Sequence, residues 1–435
     1  LAMKILIKAD YILTMDENDT IIEDGAVLVE DGIIKAVGKG IQEDGAYVID
    51  DRPAILMPGF INTHTHIAMV GFRGLADDRE LMDWLQNYIW PAENRVVDEE
   101  FIELSVPLAL AEMISSGTTT FNDMYFFPEI TARITREAGM RGFISEGVID
   151  FPTPSAKSPD EGLAIAESFI KNWKEDELIY PVMGLHAPYS CSRDLILRGY
   201  EMARRYGVPL HMHVSETRAE VQQIKKQYGT TPVRYLDSIG VLFDGFIAAH
   251  SVWLDGEEID IFRERGVGVA HNTQSNMKLA SGVAPVPDML KRGVKVGLAP
   301  DGAASNNDLD MVDEMRSAAL VHKVHRLDPT VMNAREVVRM ATIGGAMVLG
   351  IDGIVGSVEV GKRADLITVS LSGFHMMPIY DPYSHLVYAA KGSDVQSVLV
   401  NGRILMEKRE LKTLDPEKIA HNARILKERI LSALK

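Results

Sequence analysis

Along residues 58–356, short apolar runs alternate with longer segments in which apolar residues recur every three or four positions. The runs fall at 59–61, 118–121, 142–145, 182–185, 209–213, 246–250, 266–270 and 294–298. A short unbroken apolar run suits a strand buried on both faces, and the period between runs suits amphipathic helices packed over it. Eight such units over about 300 residues predict an α/β fold, a closed (β/α)8 barrel of the TIM type, with a doubly wound open sheet as the alternative.

The two ends of the chain follow a different rhythm. Met3-Lys4-Ile5-Leu6-Ile7 alternates polar and apolar positions, and residues 26–29 lead through Asp31-Gly32 into a second run at 33–37. Residues 365–369 and 395–400 repeat the style, the latter turning at Asn401-Gly402 into Arg403-Ile404-Leu405. Asp-Gly and Asn-Gly between apolar runs are strong hairpin signals. Neither set has enough strands for a core of its own, so 3–57 and 357–412 are expected to pair as one small β-sandwich beside a barrel spanning 58–356. Helical spacing over 416–434 predicts a closing helix, and Leu1-Ala2 ahead of Met3 reads as a cloning remnant outside the fold.

Composition narrows the function. The formal net charge is −17 in 435 residues, with no block of lysine and arginine, which argues against nucleic acid or an anionic membrane as partner. The single cysteine, Cys191, excludes an internal disulfide and Cys-rich zinc ribbons, and fits a reducing, cytoplasmic home. No apolar run approaches a membrane span and the N-terminus is too polar for a signal peptide. Neither G-x-G-x-x-G nor G-x-x-x-x-G-K-[ST] follows any strand.

Polar residues collect where the strands should end. His64 and His66 close the first, His186 the fourth, His213 the fifth, His250 the sixth, and Asp301 follows the eighth. Five of the 12 histidines occupy equivalent places, at the end of a barrel where active sites form. His64 and His66, one residue apart, project from the same face of a strand about 7 Å apart. Three neutral imidazoles and a carboxylate suit one Zn²⁺ or another divalent ion with a position left for water, so His64, His66, His213 and Asp301 are the expected ligands. Glu216, three residues past His213, is placed to give or take a proton near the metal; as a plain helix-start acid it would do neither.

These segments closely resemble the amidohydrolase superfamily and, more narrowly, the 5'-methylthioadenosine/S-adenosylhomocysteine deaminases. The resemblance runs over nearly the whole chain. It includes Pro58-Gly59-Phe60-Ile61-Asn62-Thr63-His64-Thr65-His66, Ala76-Asp77-Asp78, Trp90-Pro91-Ala92-Glu93, His213-Val214-Ser215-Glu216-Thr217 and Gly356-Ser357-Val358-Glu359-Val360-Gly361-Lys362. It implies metal ligation by His64, His66, His213 and Asp301, substrate contacts from Glu93 (ribose hydroxyls), His186 and Glu216, and catalytic roles for Glu216, His250 and Asp301. The implied substrate is a small adenosine-type nucleoside that loses its 6-amino group as ammonia, and a homo-oligomer is an open possibility. Fourth-strand His186 stands where binuclear relatives carry a carboxylated lysine, which favours one ion per subunit. One position departs from the pattern: Glu146 stands where relatives carry an arginine, so either the substrate tail differs or this side chain points elsewhere. Hydrolysis of another aminated heterocycle, guanine-like or a triazine, and a non-catalytic scaffold on the same barrel are the competing readings.

Overall fold

The computed structural model describes residues 3–433, so Leu1-Ala2 and the last residue of the expected 416–434 helix lie outside the described residues. Eight parallel strands form the central barrel: β1 (Phe60–Thr65), β2 (Thr118–Tyr125), β3 (Arg141–Val148), β4 (Met183–Leu185), β5 (Leu210–Val214), β6 (Phe246–His250), β7 (Gly268–His271) and β8 (Lys295–Leu298). All eight apolar runs fall on these strands. The short strand Ile179–Pro181 extends the β3 edge ahead of β4. β8 meets β1 through Thr63 Oγ1, which donates to the Leu298 carbonyl at 3.0 Å. Gly297 makes that approach possible, because a Cβ there would stand 2.5 Å from the Thr63 methyl.

β2 and β3 run four and three residues past their apolar runs, through Asn122-Asp123-Met124-Tyr125 and Glu146-Gly147-Val148. Polar residues there would ordinarily end a strand. They continue this one because they are buried and paired: Asn122 Nδ2 donates to the Thr63 carbonyl at 2.9 Å, and Asp123 accepts from the Ile67 amide at 2.7 Å.

The helices between strands carry their own start and stop signals. Ser158, Ser192 and Thr217 each accept the amide three residues on, opening the helices Pro159–Trp173, Arg193–Tyr206 and Arg218–Tyr228. Gly139, Gly207, Gly229 and Gly266 adopt left-handed conformations that end four barrel helices. This punctuation returns the chain to the barrel at each repeat.

The chain ends build one nine-stranded sheet, in the order Glu410–Leu411, Arg403–Glu407, Val395–Val400, Leu366–Ser370, Ala54–Pro58, Lys4–Leu13, Ile21–Glu30, Ile33–Gly38, with Tyr47–Asp50 beside Lys4–Leu13. The Asp31-Gly32 and Asn401-Gly402 turns close the hairpins the sequence predicts, with Glu30 opposite Ile33 and Val400 opposite Arg403. The sheet folds back on itself so that both turns reach Ala364: its amide donates to the Gly32 carbonyl, and its carbonyl accepts from the Gly402 amide. Ile5, Ile7, Val27, Leu56, Leu366 and Leu399 fill the core between the layers. Arg141, at the start of β3, docks this sheet on the barrel through a two-pronged pair with Asp365 at 2.8 and 3.1 Å. The helix Pro416–Ala433 buries Ile419, Leu426 and Ile430. Among the described residues no helix is long and apolar enough to cross a membrane.

Candidate active site

The last residues of β1 and the turn after it aim His64 and His66 into the mouth of the barrel, with ring centroids 4.8 Å apart. His66 Nδ1 donates to the Met124 carbonyl at 2.5 Å, and His213 Nδ1 donates to the His186 carbonyl at 2.6 Å. Each bond fixes a tautomer and leaves Nε2 bare toward the centre. There His213 Nε2 lies 3.3 Å from His66 Nε2, and Asp301 Oδ1 lies 3.4 Å from His66 Nε2 and 3.2 Å from His64 Nε2. Four ligands at about 2.0–2.1 Å from a tetrahedral ion would stand about 3.3–3.4 Å apart. His64 Nε2, fully buried, makes no hydrogen bond of its own. An imidazole nitrogen with no other partner, at this spacing from further ligand atoms, fits a divalent ion.

Electrostatics agree with neutral imidazoles at His64 and His213 beside an ionised Asp301. Burial pushes the His64 imidazole down to about 4 and takes His213 well below its ordinary range. Asp301 goes the other way from a buried acid: desolvation raises it, but His64 beside it holds it well below the usual carboxylate range. Its Oδ2 also accepts from Ser275 Oγ at 2.7 Å and Ser305 Oγ at 3.1 Å.

The acid–base candidates border the same point. His250 Nε2 lies 3.7 Å from Glu216 Oε2 and 3.9 Å from Asp301 Oδ2. Burial alone would lower His250; the carboxylates of Glu216 and Asp301 more than offset it and the net shift is upward. Glu216 is raised, chiefly by burial, against the pull of His250. It precedes the N-cap Thr217 and so lies outside the helix Arg218–Tyr228, which rules out the helix-start reading. Ser215, His250 and Asp301 take positive φ of 54°, 69° and 64°, the backbone strain that active-site rims store.

A cavity lined by aromatic, aliphatic and a few polar side chains opens from this cluster. Glu93 and His186 line it together with Glu216, His250 and Asp301. Glu93 accepts from the Tyr125 hydroxyl at 2.7 Å, and burial carries its carboxyl up to about 7 against that bond. His186 Nδ1 sits 2.7 Å from Ser190 Oγ, and burial pushes the ring down to about 3. Glu146 is the exception among the singled-out residues. Its side chain accepts from Ser155 Oγ under the loop after β3, and the cavity wall is taken up by Gly147 and Ile149 instead.

The amidohydrolase family pattern matches residues 55–405. Over 431 residues the chain is 47% identical to the 5-methylthioadenosine/S-adenosylhomocysteine deaminase of Thermodesulfovibrio yellowstonii, which covers 98% of each protein. The chain belongs to the amidohydrolase family, and within it to these deaminases. It is also 43% identical over 430 residues to the 5'-deoxyadenosine deaminase of Methanosarcina barkeri, again 98% of each. Among solved structures, an adenosine deaminase from Xanthomonas campestris with bound zinc superposes with a TM-score of 0.96 at 38% identity, covering 99% of both chains.

Several residues of this amidohydrolase's site escaped the sequence reading. His211, two before His213, sets Nε2 2.8 Å from His64 Nδ1. Asn276 Oδ1 lies 2.8 Å from His250 Nδ1, which points His250 Nε2 at Glu216. Glu220, in the first turn of the next helix, accepts from the Ser215 and Glu216 amides at 2.8 and 2.7 Å and so sets the bend that presents Glu216. Only the one-residue spacing of His211 and His213 on a strand carried a signal, since it places both on one face. Asn276 and Glu220 act through the tertiary fold and have no local mark. His271 and His322 face each other, Nε2 to Nε2 at 2.9 Å, in the protein interior.

Proposed function

We propose that this amidohydrolase hydrolyses the 6-amino group of an adenosine-type nucleoside (5'-methylthioadenosine, S-adenosylhomocysteine or adenosine), giving the inosine-type product and ammonia. The observation that carries the reading is a buried carboxyl, Glu216, facing His250 beside two overlapping sets of side chains able to hold a metal, His64 with His66 and Asp301, and His64 with His213 and His250. His64, His66, His213 and Asp301 would hold one Zn²⁺ or a similar divalent ion. Such an ion supplies Lewis acidity, bringing the pKa of water down toward neutrality.

The chain's own groups then move the protons. Glu93, steadied by Tyr125, takes the ribose hydroxyls, and His186 lies along the same wall. Carbon 6 of the purine is electrophilic only when the adjacent ring nitrogen is protonated, and Glu216 gives it that proton. Asp301 accepts a proton from the attacking water, which His250 orients, and the water oxygen bonds to carbon 6. Asp301 returns its proton to the amine, the carbon–nitrogen bond breaks and ammonia leaves. The new hydroxyl's proton passes back to Glu216, which restores both carboxyls and leaves the ring carbonyl. The buried lone Cys191 and the acidic surface support a cytoplasmic setting.

Ammonia release from zinc-loaded protein, followed by loss of adenine absorbance on a panel of adenosines, tests the reading. Turnover of at least one of them is expected. Silence on every adenosine with metal bound would move the assignment to another aminated heterocycle.

A further inference from the structure

Away from the metal-ligand cluster, the cavity changes character. Its remaining wall is built mainly from aromatic and aliphatic side chains, among them Trp84, Ile89, Trp90, Phe126, Ile149 and Phe151. No lysine or arginine among the described residues lines it; its only ionisable groups outside the cluster are Glu93, His186 and Tyr side chains. A ligand carboxylate entering this half would lose water and find no lysine or arginine to pair with, and an unpaired buried carboxylate is strongly disfavoured.

The loop after β3 completes this wall, and it is pinned rather than free. Phe151, Pro152, Thr153 and Pro154 line the cavity. The Phe151 ring packs 5.1 Å from Trp90, which itself lies 6.4 Å from His186. The loop closes on itself where the Thr153 amide donates to the Ala156 carbonyl at 2.8 Å and the Ala156 amide to Thr153 Oγ1 at 3.1 Å. Underneath, Ser155 Oγ donates to Glu146, a carboxyl only 1% exposed. At its start the Asp150 amide donates to the Ser190 carbonyl at 3.1 Å, on the segment that also steadies His186.

We propose that this Glu146-anchored loop makes the outer half of the cavity a selector for adenosines with a small uncharged 5' substituent, 5'-deoxy or 5'-alkylthio, and against 5' tails that carry a carboxylate. The inference rests on the deaminase reading above and fixes its substrate class. Glu146 is a positioning residue here: it touches the loop, and the loop touches the substrate.

Steady-state kinetics on the zinc-loaded full chain decide it, with 5'-deoxyadenosine, 5'-methylthioadenosine, S-adenosylhomocysteine and the methyl ester of the last. The first two are expected to lie within about tenfold of each other in kcat/KM. S-adenosylhomocysteine should fall roughly 30-fold or more below them, mostly in KM, and esterification of its carboxylate should recover part of that gap. Phe151→Arg places a cation at the partly exposed rim and should raise the ratio of S-adenosylhomocysteine to methylthioadenosine at least tenfold. Glu146→Ala should raise KM for methylthioadenosine about tenfold with kcat nearly unchanged, and Glu146→Gln, which still accepts from Ser155, should stay near wild type. Equal kcat/KM for S-adenosylhomocysteine and methylthioadenosine in the wild type, or no gain from the ester, would overturn the selectivity while leaving the deaminase reading intact. Failure of every adenosine would overturn the deaminase reading itself. The ester comparison needs no variant, so a misfolded Phe151→Arg protein does not shield the proposal.

Discussion

At the N-terminal end of β3, Arg141 is 1% exposed and its guanidinium meets Asp365 with two hydrogen bonds, while its Nη1 reaches the Glu177 carbonyl and the Tyr180 hydroxyl. Asp365 in turn accepts from the Asn401 amide at 2.7 Å. At the C-terminal ends of β1, β5 and β8, the His64 Nε2 has no hydrogen-bond partner, Asp301 Oδ1 lies 3.2 and 3.4 Å from the Nε2 atoms of His64 and His66, and His213 Nε2 lies 3.3 Å from that of His66. Both places bury charge in one barrel. The first is satisfied within the chain and holds two sheets together. The second gathers ligand atoms from three strands at one point. Burial of charge alone therefore does not mark function; ligand atoms from separate strands converging on one point do.

The largest effect should come from the histidine end. Glu216→Gln keeps the shape and the proposed ligand set but removes the proposed proton donor, and kcat should fall about 10³-fold. Metal content by elemental analysis should stay at the wild-type level, and the unfolding midpoint should move little. Unchanged turnover would remove Glu216 from the mechanism.

Arg141→Met at the satisfied end should invert that outcome. Breaking a buried pair strands Asp365 without its cation, and unfolding free energy should drop by about 3–5 kcal/mol in denaturant titration. The activity of the protein that remains folded should match wild type. The double change Arg141→Met with Asp365→Leu should recover part of the loss, not all, because the Asn401 amide then loses its acceptor.

These two ends differed in how far they could be read from sequence. The repeating apolar runs predict the barrel because a parallel strand buried on both faces leaves a plain local mark, and Asp31-Gly32 and Asn401-Gly402 mark their hairpins for the same reason. The polar tails of β2 and β3 carry no such mark, since Asn122, Asp123 and Glu146 look like strand breakers until their partners are known. His64 and His66 were legible as a pair from spacing alone. Asn276 lies 26 residues from His250 and meets it only through the fold. The pairing of Arg141 with Asp365 spans 224 residues and was equally invisible. The direction of the Glu146 side chain also had to come from the structure, because a strand residue next to a rim can serve either the cavity or the loop behind it.

A smaller effect separates the residues that bind from those that aim them. Asn276→Ala should leave metal content unchanged and cut kcat about tenfold, since His250 loses the partner that turns its Nε2 toward Glu216. A fall in metal content instead would place Asn276 in support of the ligands.

The finest distinction concerns Glu146, which belongs to neither end: it is buried and bonded to Ser155 through one oxygen, while its other oxygen is unpaired. Burial pushes its carboxyl up to about 8, against the lowering pull of the Ser155 hydroxyl and the Phe127 amide, while its ordinary value is 4.5. Between these values the folded chain holds a proton here that the unfolded chain has released. The stabilising contribution is thus complete below about pH 4.5, declines as pH rises toward 8, and is constant above that, with a slope of up to about 1.4 kcal/mol per pH unit. Glu314, also raised to about 8, and Glu220, to about 7, impose slopes of the same sign, so the informative quantity is the difference between wild type and Glu146→Gln. That amide still accepts from Ser155 but cannot ionise. The variant should gain stability on the wild type steadily from pH 5 to 8 in denaturant titrations. A difference that stays flat over that range would mean that the carboxyl under the loop is already ionised, with solvent reaching it, and the loop would then be a looser wall than its hydrogen bonds imply.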